Sequence, residues 1–318
     1  MHMADALVSA PVAVTAGVVA AALIIVASRK VSRINREDIL PLMGVMGAFV
    51  FAAQMINFSI PGTGSSGHII GGVLLAALMG PWAAFITLAS VLIIQCLIFA
   101  DGGLMALGCN LINMAAMSCL VAYPLLYRPI AGNSLKKWRV MAASVVACIV
   151  GLELGALLVT GETELSGITA LPTSQFLMFM LPIHLAIGLC EGLATGVVLC
   201  FVMSYRPEML YRPGVQNEYS GKSEKLTKRS KVVISVFAGL AIVMGVAFTW
   251  VASSDPDGLE WSISKLTGST ELAPAVTPVT ALMPDYDSTF AGVLGGLIVV
   301  ALIWGFCSII FRKRHVKA

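Results

Sequence analysis

Ile69 to Ala100 reads IIGGVLLAALMGPWAAFITLASVLIIQCLIFA and carries no charge. It is either one long membrane helix or two helices broken at Gly80-Pro81, since Gly ends helices well and Pro starts them well. Other apolar runs fall near 10–27, 41–59, 104–127, 138–160, 175–204, 232–252 and 289–311. Basic residues cluster at Arg29–Arg36, Arg128–Arg139, Arg206–Lys231 and Arg312–Lys317. With a turn at Gly80-Pro81, nine segments alternate and 19 of the 20 Lys and Arg residues fall on one side, leaving Lys265 alone outside. With a single span the clusters split across the membrane. Positive charge is retained on the cytoplasmic side, so the turn is the expected arrangement. Segment 69–79 is then short, at about 1.5 Å per residue, and is expected inside the bundle, where short backbone is tolerated.

Composition agrees. Of 318 residues, 58% are apolar and 12% charged, with mean hydropathy +0.91. Soluble domains carry about 25% charge. A soluble enzyme and a disordered chain are both excluded, and basic residues that flank apolar spans do not form a nucleic-acid face. The expected fold is an all-α integral membrane protein: a seven-segment helical bundle plus a two-helix module with an extracytoplasmic loop. The expected domains are 1–204, a polar basic linker at 205–230, and 231–318. The expected location is a prokaryotic inner membrane, N-terminus outside and C-terminus cytoplasmic. The outer loops are acidic, which would concentrate cations. Seven cysteines lie in or beside apolar runs with no CxxC pair, as small fillers of helix interfaces. Gly221-Lys222-Ser223 has Gln216 where a phosphate-binding loop needs Gly.

Chemistry must come from few polar groups, because the chain has four histidines: His2, His68, His184 and His315. The start Met1-His2-Met3-Ala4-Asp5 lacks the basic region of a signal peptide, and bulky His2 should spare Met1 from removal. A free amine, the next backbone nitrogen and the His2 imidazole form a planar tridentate chelator, suited to Ni(II) or Cu(II). One more imidazole would complete the square. Pro61-Gly62-Thr63-Gly64-Ser65-Ser66-Gly67-His68 lies on the same expected side and ends in such a residue. Ser65, Ser66, Asn57 and His184 are candidates to support the ligands. His184 and Glu191, seven apart, share a helix face; ionisable groups inside a membrane are functional candidates, and a buried structural hydrogen-bonding pair is the alternative. Ala13, Gly17 and Ala21 have the spacing of a close helix contact.

Met1-His2-Met3-Ala4-Asp5-Ala6-Leu7, Gly64-Ser65-Ser66-Gly67-His68, Phe99-Ala100-Asp101-Gly102-Gly103-Leu104 and the His184 to Gly192 segment resemble the substrate-binding component of nickel/cobalt energy-coupling-factor transporters, NikM/CbiM type. Asp255-Pro256-Asp257-Gly258-Leu259-Glu260-Trp261 and Met283-Pro284-Asp285-Tyr286 are similar to the NikN-type PDGLE domain. The resemblance implies a metal held by the Met1 amine, the His2 backbone nitrogen, the His2 imidazole and the His68 imidazole. It implies a helical bundle with one helix more than vitamin-binding relatives. It also implies a transmembrane coupling subunit and ATPase subunits as partners, beside membrane lipid. The start MHMADAL looks like the nickel branch.

The expectation is a non-enzymatic import subunit with no catalytic cofactor, whose substrate is Ni2+. Co2+ uptake for cobalamin synthesis by the same chelate stays open. So does an ATP-independent cation transporter with His184 and Glu191 along its path.

Overall fold

The computed structural model describes residues 1–34, 39–133, 136–211, 228–247, 252–270, 272 and 289–315. Most of the expected linker and Met283–Tyr286 therefore lie outside the described residues. Among the described residues, ten helices longer than a single 3-10 turn follow in order: α1 Ala10–Val31, α2 Ile39–Gln54, α3 Gly72–Met79, α4 Pro81–Phe99, α5 Leu107–Ala131, α6 Lys137–Ser166, α7 Thr173–Tyr205, α8 Lys228–Ala247, α9 Gly258–Thr267 and α10 Thr289–His315. Among the described residues, five of them, α1 and α4–α7, are long and apolar enough to cross a membrane.

The break at Gly80 is present. α3 ends at Met79, Gly80 takes φ 84° and ψ 160°, and Pro81 opens α4. That backbone region is open to glycine and costly for other residues. All eight residues of α3 are buried, as expected for a segment too short to span and enclosed by protein.

Two regions depart from the expected helices. The run beginning near residue 41 ends as helix at Gln54, and Phe58–Ile60 (β1) pairs antiparallel with Ser65–Gly67 (β2). The Gly/Ser loop is thus a small hairpin. The loop of the C-terminal module contains α9, whose start has a capping box: the Asp257 side chain accepts from Leu259 and Glu260 N–H groups, and the Glu260 carboxylate accepts from the Asp257 N–H. This satisfies donors left orphaned at a helix start.

Close helix contacts occur where small residues permit them. A Cβ on Gly192 of α7 would lie 2.5 Å from Val145 Cα of α6, and one on Gly188 would lie 2.8 Å from Ile149 Cα. The α1 contact uses only part of the expected Ala13-Gly17-Ala21 stripe, with Ala13 buried. Gly108 of α5 presses on the backbone of Ala16 and Gly17, while Ala21 is exposed. Val14 and Val18 stand 66% and 65% exposed on the outer face of α1, as apolar side chains facing lipid do. α8 and α10 pack on α2, with Phe49 edge-on to Phe237 and Gly295 against Phe51. The C-terminal helices are therefore joined to the bundle by apolar packing.

Gly80→Ala is expected to destabilise the bundle by at least about 1 kcal/mol, because the new Cβ also meets the Tyr211 ring at 2.8 Å. Thermal unfolding in detergent micelles measures it.

Candidate metal centre

The N-terminus folds back into the bundle. Met1, Met3, Leu7 and Val8 are buried. Met3 is held as if by a neighbouring strand: its N–H donates to Asn110 Oδ1 at 2.8 Å, and its carbonyl accepts from Asn110 Nδ2 at 3.1 Å and from the Gly103 N–H at 3.0 Å. The turn Ala100-Asp101-Gly102-Gly103 hugs this segment closely. Gly102 has φ 87°, and a Cβ on it would lie 3.3 Å from the His2 Cβ. Only glycine gives both the conformation and the space.

This register sets the first two residues against His68. The Met1 amine lies 3.1 Å from His68 Nε2. The His2 and His68 rings stack with centroids 5.2 Å apart. Two nitrogens in adjacent corners of a planar site, each with a bond of about 2 Å, stand about 2.8 Å apart. The amine and His68 already approach that spacing. Among the described residues no three His, Cys, Asp or Glu side chains gather in ligating geometry. A metal here must use backbone and terminal nitrogens.

The His2 ring has two further neighbours. Nε2 lies 3.3 Å from Gln95 Oε1, and Nδ1 lies 3.1 Å from Asp101 Oδ1. Gln95 donates to Gln54 Oε1 at 2.6 Å, and Gln54 donates to the Ile70 carbonyl at 2.9 Å. This amide chain links the His2 ring to the segment after His68, and both ring nitrogens face acceptor oxygens, Nε2 that of Gln95 and Nδ1 that of Asp101. Burial lowers the pKa of His2 and holds His68 well below the ordinary histidine range; the nearby terminal amine lowers both further. Both are therefore neutral near pH 7, as metal ligation requires.

Glu191 anchors His68 from the other side. Its two carboxylate oxygens accept the N–H groups of Ile70 and Gly71, both at 2.9 Å. His184 does not pair with Glu191; its Nδ1 lies 2.8 Å from the Met180 carbonyl. Both side chains are buried on one face of α7, toward the His68 segment. Ser65, Ser66 and Asn57 serve elsewhere. The Ser66 N–H donates to the Pro256 carbonyl at 2.8 Å and its hydroxyl to the Asp255 carbonyl at 2.7 Å. The Ser65 hydroxyl reaches the Pro256 carbonyl at 3.3 Å, and the Asn57 carbonyl accepts from the Ser253 N–H at 2.8 Å. These residues bind the C-terminal module rather than the imidazoles.

That docking brings in Asp257, absent from the expected site. Its Oδ2 pairs with the Met1 amine at 2.6 Å while Oδ1 caps α9. Although burial opposes ionisation, the amine and the capped N–H groups hold its carboxyl well below the usual range. Trp261 Nε1 fastens the same loop to the Thr63 carbonyl at 3.0 Å. The capping box in Asp257-Gly258-Leu259-Glu260 could be found in the sequence; the contact, 256 residues apart, could not.

Asp257→Ala is expected to cost about 1 kcal/mol through the lost cap alone, and more through the stranded amine. The depressed carboxyl stabilises above its unfolded value of about 4 and loses that contribution as pH falls. Hydrogen exchange of 58–68 and 253–267 should thus differ between variant and parent at pH 7 and converge in acid.

Comparisons with known proteins agree with this architecture. Residues 2–209 match the CbiM family, described as the cobalt uptake substrate-specific transmembrane region, and residues 231–312 match the PDGLE domain. A protein of Archaeoglobus fulgidus, "Putative fused nickel transport protein NikMN", is 32% identical over 280 residues, 85% of this chain and 86% of that protein. The cobalt transport protein CbiM of Sorangium cellulosum is 31% identical over 183 residues, 54% of this chain and 76% of that one. A crystal structure described as that of a transition metal transporter aligns with TM-score 0.58 and 29% identity, covering 70% of this chain and 98% of that one. The chain belongs to the CbiM family of multi-pass membrane transport proteins, and carries a PDGLE domain fused behind the family's transmembrane region.

Proposed function

We propose that this chain is the substrate-binding subunit of an energy-coupling-factor importer, and that its substrate is Ni2+, captured at the outer face by four nitrogens. These are the Met1 amine, the His2 backbone nitrogen, His2 Nδ1 and His68 Nε2. The observation that carries the reading is the buried approach of the Met1 amine to His68 Nε2, 3.1 Å, with the His2 ring stacked alongside. An all-nitrogen planar set favours Ni(II) over metals that prefer other geometries. The name of the Archaeoglobus relative points to the same ion.

The division of labour follows. Residues 1–204 hold the ion, 205–230 form a cytoplasmic linker, and 231–318 carry the PDGLE loop over the site. Asp257 keeps the amine in place while the site is empty, so the C-terminal module helps load or release metal. A coupling subunit and ATPases supply the work. The N-terminus lies outside and the C-terminus in the cytoplasm.

Adding one residue before Met1 moves the amine off the chelate and is expected to abolish tight Ni2+ binding. His68→Ala should weaken it by about 100-fold or more. Titration calorimetry on untagged protein, with Ni2+ and Co2+ in parallel, measures both; an extended chain that binds as tightly as the parent overturns the reading. Deleting 231–318 should reduce uptake in cells that contain the ATPases.

Ligation needs a deprotonated amine and amide and neutral imidazoles, so binding releases protons and weakens as pH falls. His2 and His68, held low by burial, resist protonation just below pH 6.5. The apparent Ni2+ affinity should therefore keep rising from pH 6 to 8, with proton release measured in buffers of different ionisation enthalpy.

A further inference from the structure

Two imidazoles border the cavity beneath the Met1 amine, and the proposed chelate uses only one. Met1, His68, His184, Ile187 and Asp257 line this cavity together with Leu152. His184 is 1% exposed. A carbonyl only accepts hydrogen bonds, so the 2.8 Å contact with Met180 assigns the ring hydrogen to Nδ1. Nε2 of the neutral ring then holds a lone pair. It is buried and has no hydrogen-bond partner among the described residues. Leaving such an acceptor unpaired costs about 1–3 kcal/mol. The ring is also held firmly. A methyl on Gly258 would come within 3.1 Å of its Cε1, so the PDGLE loop closes against it.

We propose that His184 Nε2 is the entering ligand through which the captured ion leaves, and reaches, its four-nitrogen site. The inference rests on the chelate reading above. Planar four-coordinate Ni(II) has an open position above its plane and exchanges ligands associatively, so a fifth donor binds before an earlier one departs. The Nε2 lone pair forms the new coordinate bond. The bond to the Met1 amine then breaks, its electron pair staying on the amine nitrogen, and the ion remains divalent throughout. The freed amine takes a proton from solvent and returns to Asp257 Oδ2, its partner in the empty site at 2.6 Å, while the bonds to His2 and His68 break in turn, the His2 backbone nitrogen takes a second proton from solvent, and the ion departs from His184. A donor engaged only during exchange lowers the barrier in both directions equally, so it speeds capture and release without changing affinity.

The test uses full-length protein with its native N-terminus, loaded with Ni2+ alone, and follows exchange of bound ion against radioactive Ni2+. His184→Phe keeps a ring and removes the donor. It is expected to slow association and dissociation by about tenfold or more, with Kd and the planar Ni(II) absorption spectrum unchanged. His184→Gln keeps a weaker donor atom at the position, so it should give an intermediate rate, which separates loss of the donor from loss of packing. Exchange at the parent rate in His184→Phe overturns the proposal. A changed Kd or spectrum overturns it as well, since that marks a structural prop of the chelate. The chain extended before Met1 is the separate arm: tight binding there refutes the chelate and this inference with it, whereas parent-like exchange in His184→Phe alone leaves the chelate standing.

Discussion

A terminal ammonium buried inside a helical bundle is costly unless something compensates its charge. Here Asp257 does so, and the placement of the whole site depends on that pair. The amine cannot reach the position without the clamp on Met3 from Asn110 and Gly103. Asp257 cannot reach it without the serines of the hairpin and the Thr63 carbonyl holding the PDGLE loop. The same carboxylate caps α9, so helix formation in the C-terminal module and charge compensation at the N-terminus are one event.

The bundle supplies rigidity around this pair. α3 is wholly enclosed by protein and α4 largely so, and Glu191 pins the start of α3 through two backbone N–H groups. His68 immediately precedes that anchor. Its imidazole is therefore positioned by the best-buried part of the fold, while its partners arrive on two peripheral segments. In the proposed chelate this would place one ligand on a rigid element and let the others close on it, which suits a site that must both bind and let go.

Much of the architecture is legible in residue order. Charge asymmetry and the Gly80-Pro81 pair are enough to divide 69–100, because a short central helix leaves the basic clusters on one side. The pairing of residues 1, 2 and 68 follows from counting histidines and sides. The hairpin escaped because Phe58-Ser59-Ile60 and Ser65-Ser66-Gly67 are three residues each, too short for alternation to register. Ser65, Ser66 and Asn57 looked like supports for the imidazole, yet their hydrogen bonds run to Pro256, Asp255 and Ser253. Nothing local announces a partner about 190 residues away. The Ala13-Gly17-Ala21 spacing is right in part: a small-residue stripe marks where a neighbour can approach, and Gly108 meets α1 at Gly17 and the adjacent Ala16 while Ala21 stays exposed.

Asp257 and the amine it holds belong to one polypeptide, joined through helices that pack on α2. Docking of the PDGLE loop is thus an intramolecular equilibrium, governed by effective concentration and independent of how much protein the membrane contains. A few hydrogen bonds and one ion pair suffice to keep the loop engaged, so the contact can be individually weak and open rapidly. Were the module a separate subunit, the same occupancy would demand a tighter interface and a slower release.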